Sequence, residues 1–330
     1  MEYRKFGKTD LMVSEVGFGA WGIGGPAMAG DVPIGWGKVD DRQSVKALNT
    51  ALDMGVNFYD TADFYGLGHS EELIGKTFGN KQDVIIATKV GHRLGKDGKI
   101  FLDYSKSHIL NACDKSLKRL KRETIDYYQL HSARMEHLEQ GECIEAMEQL
   151  QKEGKIRYWG LSLNTFSPET EANFLMERNL GQGFQIVFNL INQRGLSVIK
   201  KAHAAGYGLI ARMPLQFGLL TGKFDKNTRF AKNDHRAFRL PPPVLETAAD
   251  DLEEIWKRAE KSHYSKTAYA LSFILSFQEV STIIPGIKTP KQAKLNTTGI
   301  SKLSKSDLDF LENFYHEKLY KLVELMEQLG

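Results

Sequence analysis

The stretch that decides the fold of this 330-residue chain is NFYDTADFYGLGHSEELIGKTFGNKQDVIIATKVG, from Asn57 to Gly91. Its apolar spacing predicts a strand ending at Asp60, a loop that carries Tyr65, a helix, and a second strand ending at Lys89. Parallel strands joined by a right-handed crossover lie side by side, so we expect Asp60 and Lys89 to emerge at the same edge of a sheet. Tyr65 follows Asp60 in the same loop and could lean over the pair.

An acid, a lysine and a tyrosine in this arrangement suit proton transfer. Tyrosine ionises near pH ~10, and a general acid or base works best with a pKa nearer the operating pH. An ammonium about 4 Å away, at an effective dielectric of ~20, stabilises a phenolate by about 4 kcal/mol, or roughly three pKa units. We therefore expect Lys89 to lower the pKa of Tyr65, and Asp60 to keep Lys89 charged. The same residues could instead form a structural ion pair beside a turn tyrosine.

The strand–helix unit recurs along the chain, after a hairpin predicted over residues 2–13. Apolar, β-prone runs predict eight strands, at 16–19, 56–60, 84–89, 125–131, 156–162, 184–188, 207–212 and 282–285. Helical apolar spacing predicts helices between them, at 45–52, 71–74, 109–120, 144–150, 167–178 and 195–205. This alternation favours an α/β fold of the (β/α)8 or TIM barrel type over an open doubly wound sheet. Because no linker divides the chain, we expect residues 1–330 to form a single barrel domain.

Two segments do not follow the repeating unit. Residues 22–40 hold six glycines and no periodicity, and residues 213–243 contain three consecutive prolines and several cations. Both are expected to be long loops at the C-terminal face of the barrel, where loops of this length are usually functional. The last residues, Leu311 to Leu329, are amphipathic and predict a helix packed across the outside or rim of the barrel.

The composition is that of an ordinary globular protein and excludes several classes. With a net charge of only +3 spread along the chain, nucleic acid is not an expected partner. No apolar run approaches the length of a membrane span and the N-terminus lacks the apolar core of a secretion signal, so we expect a cytoplasmic protein. Cys113 and Cys143 fit no metal or redox spacing and are expected to be small buried residues of helices.

The C-terminal ends of the predicted strands carry most of the polar groups that could form a site. Active sites of α/β barrels lie at this end. The strand ends carry, in chain order, Gly19-Ala20-Trp21, Asp60, Lys89, His131, Ser162, Gln185 to Asn189, Arg212, and Gly286 to Lys288. A histidine that joins an acid, a tyrosine and a lysine points to function rather than to packing.

Six motifs, taken together and in this order, resemble the aldo-keto reductase family over essentially the whole chain. They are FYDTADFYG with HSEELIG, ATKVG, DYYQLH, GLS, MPLQFGLLTGKF and IPGIKTPKQAKLN. The resemblance implies a (β/α)8 barrel that reduces carbonyl groups with NADPH, or less often NADH. It also implies a catalytic tetrad of Asp60, Tyr65, Lys89 and His131.

The resemblance implies a cofactor site as well, in which Asp60 is shared with the tetrad. Ala20 and Trp21 would line the nicotinamide end, Ser162 and Gln185 would hold the carboxamide, and Arg212 would stand where the family often has a stacking aromatic residue. The implied contacts to the pyrophosphate and adenosine end are Pro214, Leu215, Gly218, Lys223, Gly286, Lys288, Thr289, Gln292 and Asn296. Two departures are Leu163, which separates Ser162 from Asn164, and Gln292, which stands where NADPH-selective members often have arginine.

We therefore expect an NADPH-dependent, or alternatively NADH-dependent, oxidoreductase that reduces a small aldehyde or ketone reversibly with Tyr65 as proton donor. One alternative is a cofactor-binding regulatory or redox-sensing subunit, like the potassium-channel β-subunit relatives, which carry asparagine in place of His131. Another is an isomerase or aldolase that uses Lys89 as a Schiff-base nucleophile, although Asp60 would hold that lysine protonated. The sequence predicts neither the substrate nor the oligomeric state.

Overall fold

In the computed structural model, the eight predicted apolar runs form the strands of one parallel sheet, and shorter segments form three antiparallel hairpins. The structure describes residues 1–30, 32–232 and 234–329. The strands are β1 Tyr3–Lys5, β2 Met12–Ser14, β3 Phe18–Gly19, β4 Met28–Ala29, β5 Val32–Pro33, β6 Phe58–Asp60, β7 Ile85–Val90, β8 His92–Leu94, β9 Ile100–Leu102, β10 Ile125–His131, β11 Ile156–Ser162, β12 Gly183–Val187, β13 Gly208–Arg212 and β14 Thr282–Ile283.

Helices alternate with these strands and cover the outside of the sheet. They are α1 Asp41–Asp53, α2 His69–Phe78, α3 Lys106–Leu120, α4 Met135–Gln140, α5 Glu142–Lys152, α6 Glu169–Glu177, α7 Leu196–Ala204, α8 Arg236–Arg239, α9 Pro242–Lys261, α10 Lys266–Leu275, α11 Pro290–Thr297, α12 Lys305–Phe314 and α13 Tyr320–Leu329. None of these described helices is long and apolar enough to cross a membrane.

The sheet closes on itself into the predicted (β/α)8 barrel. Its strand order is β3-β6-β7-β10-β11-β12-β13-β14, and every neighbouring pair is parallel. The first and last strands are joined because the Gly17 amide donates to the Ile283 carbonyl at 2.7 Å and the Ile283 amide donates to the Glu15 carbonyl at 2.9 Å. All eight strands predicted from the sequence are present, with ends that differ by at most two residues.

The N-terminal hairpin of β1 and β2 closes the bottom of the barrel. Phe6, Leu11 and Val13 are buried and pack with side chains of the barrel interior, where the ring of Phe6 lies 5.0 Å from that of Tyr127. An apolar plug at this end leaves the opposite, C-terminal end as the open face. The predicted hairpin over residues 2–13 is therefore confirmed and has a clear packing role.

The long segments contain more regular structure than the sequence analysis predicted. Residues 22–40 include the β4–β5 hairpin, and residues 213–243 include a 3-10 turn at Gln216–Thr221 and the short helix α8. The second loop ends earlier than predicted because Pro242 and Pro243 occupy the first turn of α9, where a missing amide hydrogen costs nothing. Helices α9 and α10 were not predicted, and the C-terminal helix begins at Lys305 and contains a π turn at Tyr315–Leu319.

The strand register brings the predicted site residues to one edge. Asp60 pairs with Gly19, Lys89 with Gln129, and Ser162 with both His131 and Gln185. Arg212 ends β13 beside Val187 of β12. Cys113 and Cys143 are free and buried in α3 and α5, as predicted.

Candidate active site

Lys89 lies between the Asp60 carboxylate and the Tyr65 hydroxyl, as the crossover geometry predicted. Its Nζ donates to Asp60 Oδ1 at 2.5 Å and to the Thr61 carbonyl at 2.7 Å, and it lies 3.4 Å from the Tyr65 hydroxyl. The lysine is fully buried and Asp60 is 2% exposed. The Tyr65 loop reaches over the pair because Gly66 and Gly68 adopt positive φ there, which glycine tolerates without strain. A buried ammonium is thus shared between a carboxylate and a phenol.

Two glutamine side chains hold the far oxygen of Asp60. Asp60 Oδ2 accepts from Gln185 Nε2 at 2.7 Å and from Gln129 Nε2 at 3.0 Å. Gln129 was missed by the sequence analysis, although it stands two residues before His131 on the same face of a buried strand, a position where a polar residue needs a partner. Gln185, which is expected to hold a nicotinamide carboxamide, lines the cavity and also donates to Gln129 Oε1 at 3.2 Å.

The expected net lowering of the Tyr65 pKa is wrong. Burial raises the pKa of Tyr65 above its ordinary value, and this effect outweighs the opposite effect of the neighbouring Lys89. Burial alone would lower the pKa of Lys89, but Asp60 and Tyr65 overcome it and raise that pKa. The resting site therefore holds a neutral phenol and a charged ammonium.

His131 lies at the edge of the same site as a neutral imidazole. Its ring centroid is 5.9 Å from the Tyr65 ring and 4.3 Å from the ring of His92. Burial, with His92 and two nearby cations, holds the pKa of His131 well below its ordinary value. Sequence reasoning missed His92, which directly follows the ATKVG motif and carried no signal of its own.

These side chains surround a cavity of about 540 Å³ at the C-terminal end of the barrel. The sequence-predicted residues that line it are Ala20, Trp21, Asp60, Tyr65, His131, Ser162, Gln185, Arg212, Pro214, Leu215, Gly218, Lys223, Gly286, Lys288, Gln292 and Asn296. Lys89 lies beneath the cavity floor, where it is fully buried. Thr289 is outside the lining and caps α11 by accepting from the Gln292 amide at 3.3 Å. Asn164 is also outside it, because its side chain accepts from the amides of Phe166 and Ser167 in a turn.

Arg212 is a half-buried cation in the cavity wall. Its guanidinium donates to the Leu163 carbonyl and to Thr165 Oγ1, both at 3.1 Å, while its Nε is buried without a partner among the described residues. Burial lowers the pKa of Arg212 to about 10, so the side chain stays charged at neutral pH. An incompletely paired, charged guanidinium in a cavity suits an electron-rich ligand group.

Trp21 covers the Tyr65 side of the cavity and is part of an aromatic wall. Its ring stacks on that of Tyr65 at 5.9 Å, and its Nε1 donates to the Ile34 carbonyl at 3.1 Å. Trp36 and His235, which sequence reasoning did not identify, lie edge-on to Trp21 at 5.2 and 4.9 Å. His235 Nδ1 is also 3.1 Å from the Pro33 carbonyl. The two long loops therefore meet over the cavity.

Lys288 and the start of α11 form the cationic end of the cavity. Lys288 is half-buried, and its backbone amide donates to Gln292 Oε1 at 2.7 Å. The side-chain oxygen of Gln292 is thus engaged within its own turn. The cavity also includes Lys223, Arg236 and Arg239, of which Arg236 pairs with Asp234. These positively charged side chains at the mouth of the cavity suit a ligand that carries phosphate groups.

Comparison with known proteins agrees with this architecture. The model described as the aldo/keto reductase family matches residues 15–315. The uncharacterized oxidoreductase YqkF of Bacillus subtilis is 30% identical over 97% of this chain and 99% of the relative. The solved structure of glycerol dehydrogenase AKR11B4 from Gluconobacter oxydans is 29% identical, covers 96% of both chains and has a TM-score of 0.78. A putative voltage-gated potassium channel subunit beta of Schizosaccharomyces pombe is 27% identical over 98% of this chain and 93% of that protein. The chain belongs to the aldo/keto reductase family and is an oxidoreductase.

Proposed function

We propose that the protein reduces an aldehyde or ketone to an alcohol with NADPH, and that Tyr65 is the proton donor. The observation that carries the proposal is the buried Lys89 ammonium between Asp60 and the Tyr65 hydroxyl, at the floor of a cavity large enough for a small substrate. The family generally uses NAD(P)H, which supplies the hydride when bound. We also propose that the protein is cytoplasmic.

The chain's own residues would manage the proton and the developing charge. His131, neutral and half-buried, would orient the carbonyl oxygen toward the Tyr65 hydroxyl. As hydride reaches the carbonyl carbon, the oxygen becomes an alkoxide, a much stronger base than a phenolate, and takes the proton from Tyr65. Lys89 would then stabilise the phenolate that remains, and Asp60 keeps the lysine charged and in place. Reversal of these steps would oxidise an alcohol with Tyr65 as base.

The residues at the cavity fit a dinucleotide phosphate ester. Lys223 and Arg212 would contact the cofactor from β13 and the loop after it, and Lys288 with the N-terminus of α11 would bind the adenosine 2′-phosphate. Because Gln292 is uncharged and bonded to the Lys288 amide, Lys288 would carry most of the preference. We therefore propose a modest preference for NADPH over NADH.

Replacing Tyr65 with Phe tests the proposed donor. The variant keeps the ring that stacks on Trp21 and removes the acidic proton, so kcat for carbonyl reduction should fall by about 10²–10⁴-fold. The Kd for NADPH, measured by fluorescence titration, should barely change. Near-normal turnover by Tyr65→Phe would show that another group donates the proton.

A cofactor-binding regulatory subunit is the second candidate, because the chain is also similar to a protein named as a potassium channel subunit. Such a subunit would bind NADPH but turn over carbonyl substrates no faster than Tyr65→Phe does. A Schiff-base aldolase or isomerase is less compatible with the site, since the ion pair with Asp60 raises the pKa of Lys89 and a Schiff base requires the neutral amine.

A further inference from the structure

His92 stands at the substrate side of the cavity because of the residue before it. Gly91 turns the chain out of β7 with a φ of +132°, and a Cβ at this position would lie 2.2 Å from the ring of Tyr104. The Tyr104 hydroxyl donates to the His131 carbonyl at 2.5 Å, so the same tyrosine packs against Gly91 and anchors His131. This arrangement fixes the two histidines side by side, with ring centroids 4.3 Å apart and ring planes at 62°.

The two imidazoles leave the same ring nitrogen without a partner. The Nδ1 atoms of His92 and His131 are each buried without a hydrogen-bond partner among the described residues. A buried N–H without an acceptor is among the most costly unpaired groups, so each ring is expected to carry its proton on Nε2 instead. Because both residues line the cavity, Nε2–H is the group that each can offer to a ligand.

We propose that His92 recognises an oxygen on the carbon next to the reacting carbonyl, so that the preferred substrates are 2-hydroxy or 2-oxo carbonyl compounds. The inference rests on the proposed function, in which His131 orients the carbonyl oxygen. Two N–H donors on adjacent, inclined rings can reach oxygens on neighbouring carbons at the same time. A carbonyl without this second oxygen leaves the His92 donor unpaired in the closed site, which costs affinity for the transition state.

The surroundings of His92 favour a neutral oxygen over an anionic one. Burial lowers the pKa of His92 to about 4, so the ring carries no charge at neutral pH. The ring of Phe64 lies 5.5 Å from it, and Ile100, from the partner strand of the β8–β9 hairpin, also lines this side of the cavity. A single neutral donor between apolar side chains suits a hydroxyl or a second carbonyl oxygen rather than a carboxylate.

Three matched ketones test the inference: butan-2-one, 1-hydroxybutan-2-one and butane-2,3-dione. For each protein variant, the kcat/KM of the two oxygenated ketones is divided by that of butan-2-one. An adjacent oxygen activates a carbonyl chemically, but this effect is the same in all variants and cancels when their ratios are compared. His92→Leu removes the donor, His92→Gln keeps a side-chain N–H near the position of Nε2, and Ile100→Ala changes the same wall without removing a hydrogen bond.

We expect His92→Leu to lower the kcat/KM ratio by about three- to tenfold, which is the effect of one neutral hydrogen bond. His92→Gln should retain at least half of the wild-type ratio, and Ile100→Ala should leave the ratio unchanged. Comparing 1-hydroxybutan-2-one with butane-2,3-dione shows whether His92 recognises a hydroxyl or a second carbonyl oxygen. Equal ratios in wild type and His92→Leu, or an equal loss in Ile100→Ala, would overturn the inference and leave the proposed function standing. No reduction of any ketone or aldehyde by the wild type would overturn both.

Discussion

Replacing Lys89 with Met separates a catalytic lysine from a structural one. The substitution removes the ammonium 3.4 Å from the Tyr65 hydroxyl, where a phenolate would gain about 5 kcal/mol at an effective dielectric of about 20, or roughly three to four pKa units. It also leaves the Asp60 carboxylate buried with the side-chain amides of Gln129 and Gln185 as its remaining side-chain partners among the described residues. Breaking one side of a buried ion pair typically lowers the free energy of unfolding by about 3–5 kcal/mol.

The two effects can be told apart with a second substitution. Asp60→Asn in the Lys89→Met background replaces the unpaired carboxylate with an amide that can still accept from both glutamines. We expect the double variant to recover most of the lost free energy of unfolding, measured by denaturant titration, while kcat stays reduced by at least about 10²-fold. Arg119→Met is the matched control, because Arg119 Nε pairs at 2.6 Å with the buried Glu71 beside the site. It should destabilise the protein and leave kcat near the wild-type value.

A double variant that recovers both stability and turnover would refute the reasoning. In that case, the Asp60–Lys89 pair would be a structural ion pair, and the loss in Lys89→Met would come from unfolding alone. Loss of kcat in Arg119→Met as large as in Lys89→Met would point the same way, since any buried charge defect would then suffice.

Three further predictions concern pH, cofactor choice and the backbone. Because burial raises the pKa of Tyr65, the protonated form of Tyr65 persists to high pH. The kcat/KM for reduction should therefore stay level from about pH 6 to about pH 9, while the kcat/KM for alcohol oxidation rises. A fall in the kcat/KM for reduction near neutral pH would contradict this. Lys288→Ala should weaken NADPH binding by roughly ten- to thirtyfold and leave the Kd for NADH nearly unchanged, and equal weakening of both would be evidence against a 2′-phosphate contact. Gly91→Ala should lower the free energy of unfolding by about 1–3 kcal/mol in denaturant titration, because of its positive φ and the contact with Tyr104; an unchanged value would contradict it.

The barrel was predictable because its strands lie in apolar runs that alternate regularly with helical patterns. Several of these strands end at a polar residue, as at Asp60 and His131, and the parallel register carries these ends to a single edge of the sheet. The contact of Asp60 with Lys89 follows from connectivity alone. The interior of the long loops was not predictable, since the β4–β5 hairpin and α8 are too short to show a period and are held by contacts with residues far away in the chain, such as that of His235 with Pro33.

Residues missed at the site share the same physical reason. Gln129 and His92 act through neighbours that are distant in sequence, and a single polar residue in an apolar run does not reveal its partner. The direction of the shift in the Tyr65 pKa was missed for another reason. The spacing of residues in the sequence indicates which charges lie near the tyrosine, but it does not indicate how far the tyrosine is buried from water. Burial is a property of the assembled barrel and of the aromatic wall, neither of which can be predicted from the loop that carries Tyr65.

Burial and the ammonium act on Tyr65 at different stages of the proposed reduction. Before hydride transfer, the exclusion of water keeps the phenol protonated, so Tyr65 still holds its proton when a carbonyl substrate binds. Once the proton has moved to the alkoxide, the same exclusion of water would penalise the phenolate. The charge of Lys89, which is fixed by Asp60, offsets part of that penalty, and Arg212 acts in the same direction. If the pKa of Tyr65 were lower before the reaction, the tyrosine would already be deprotonated in some of the molecules. Without the Lys89 ammonium, the phenolate formed by the reaction would be buried with less compensating charge. The raised pKa of the resting tyrosine and the buried lysine beside it are therefore complementary requirements of one proton-transfer step.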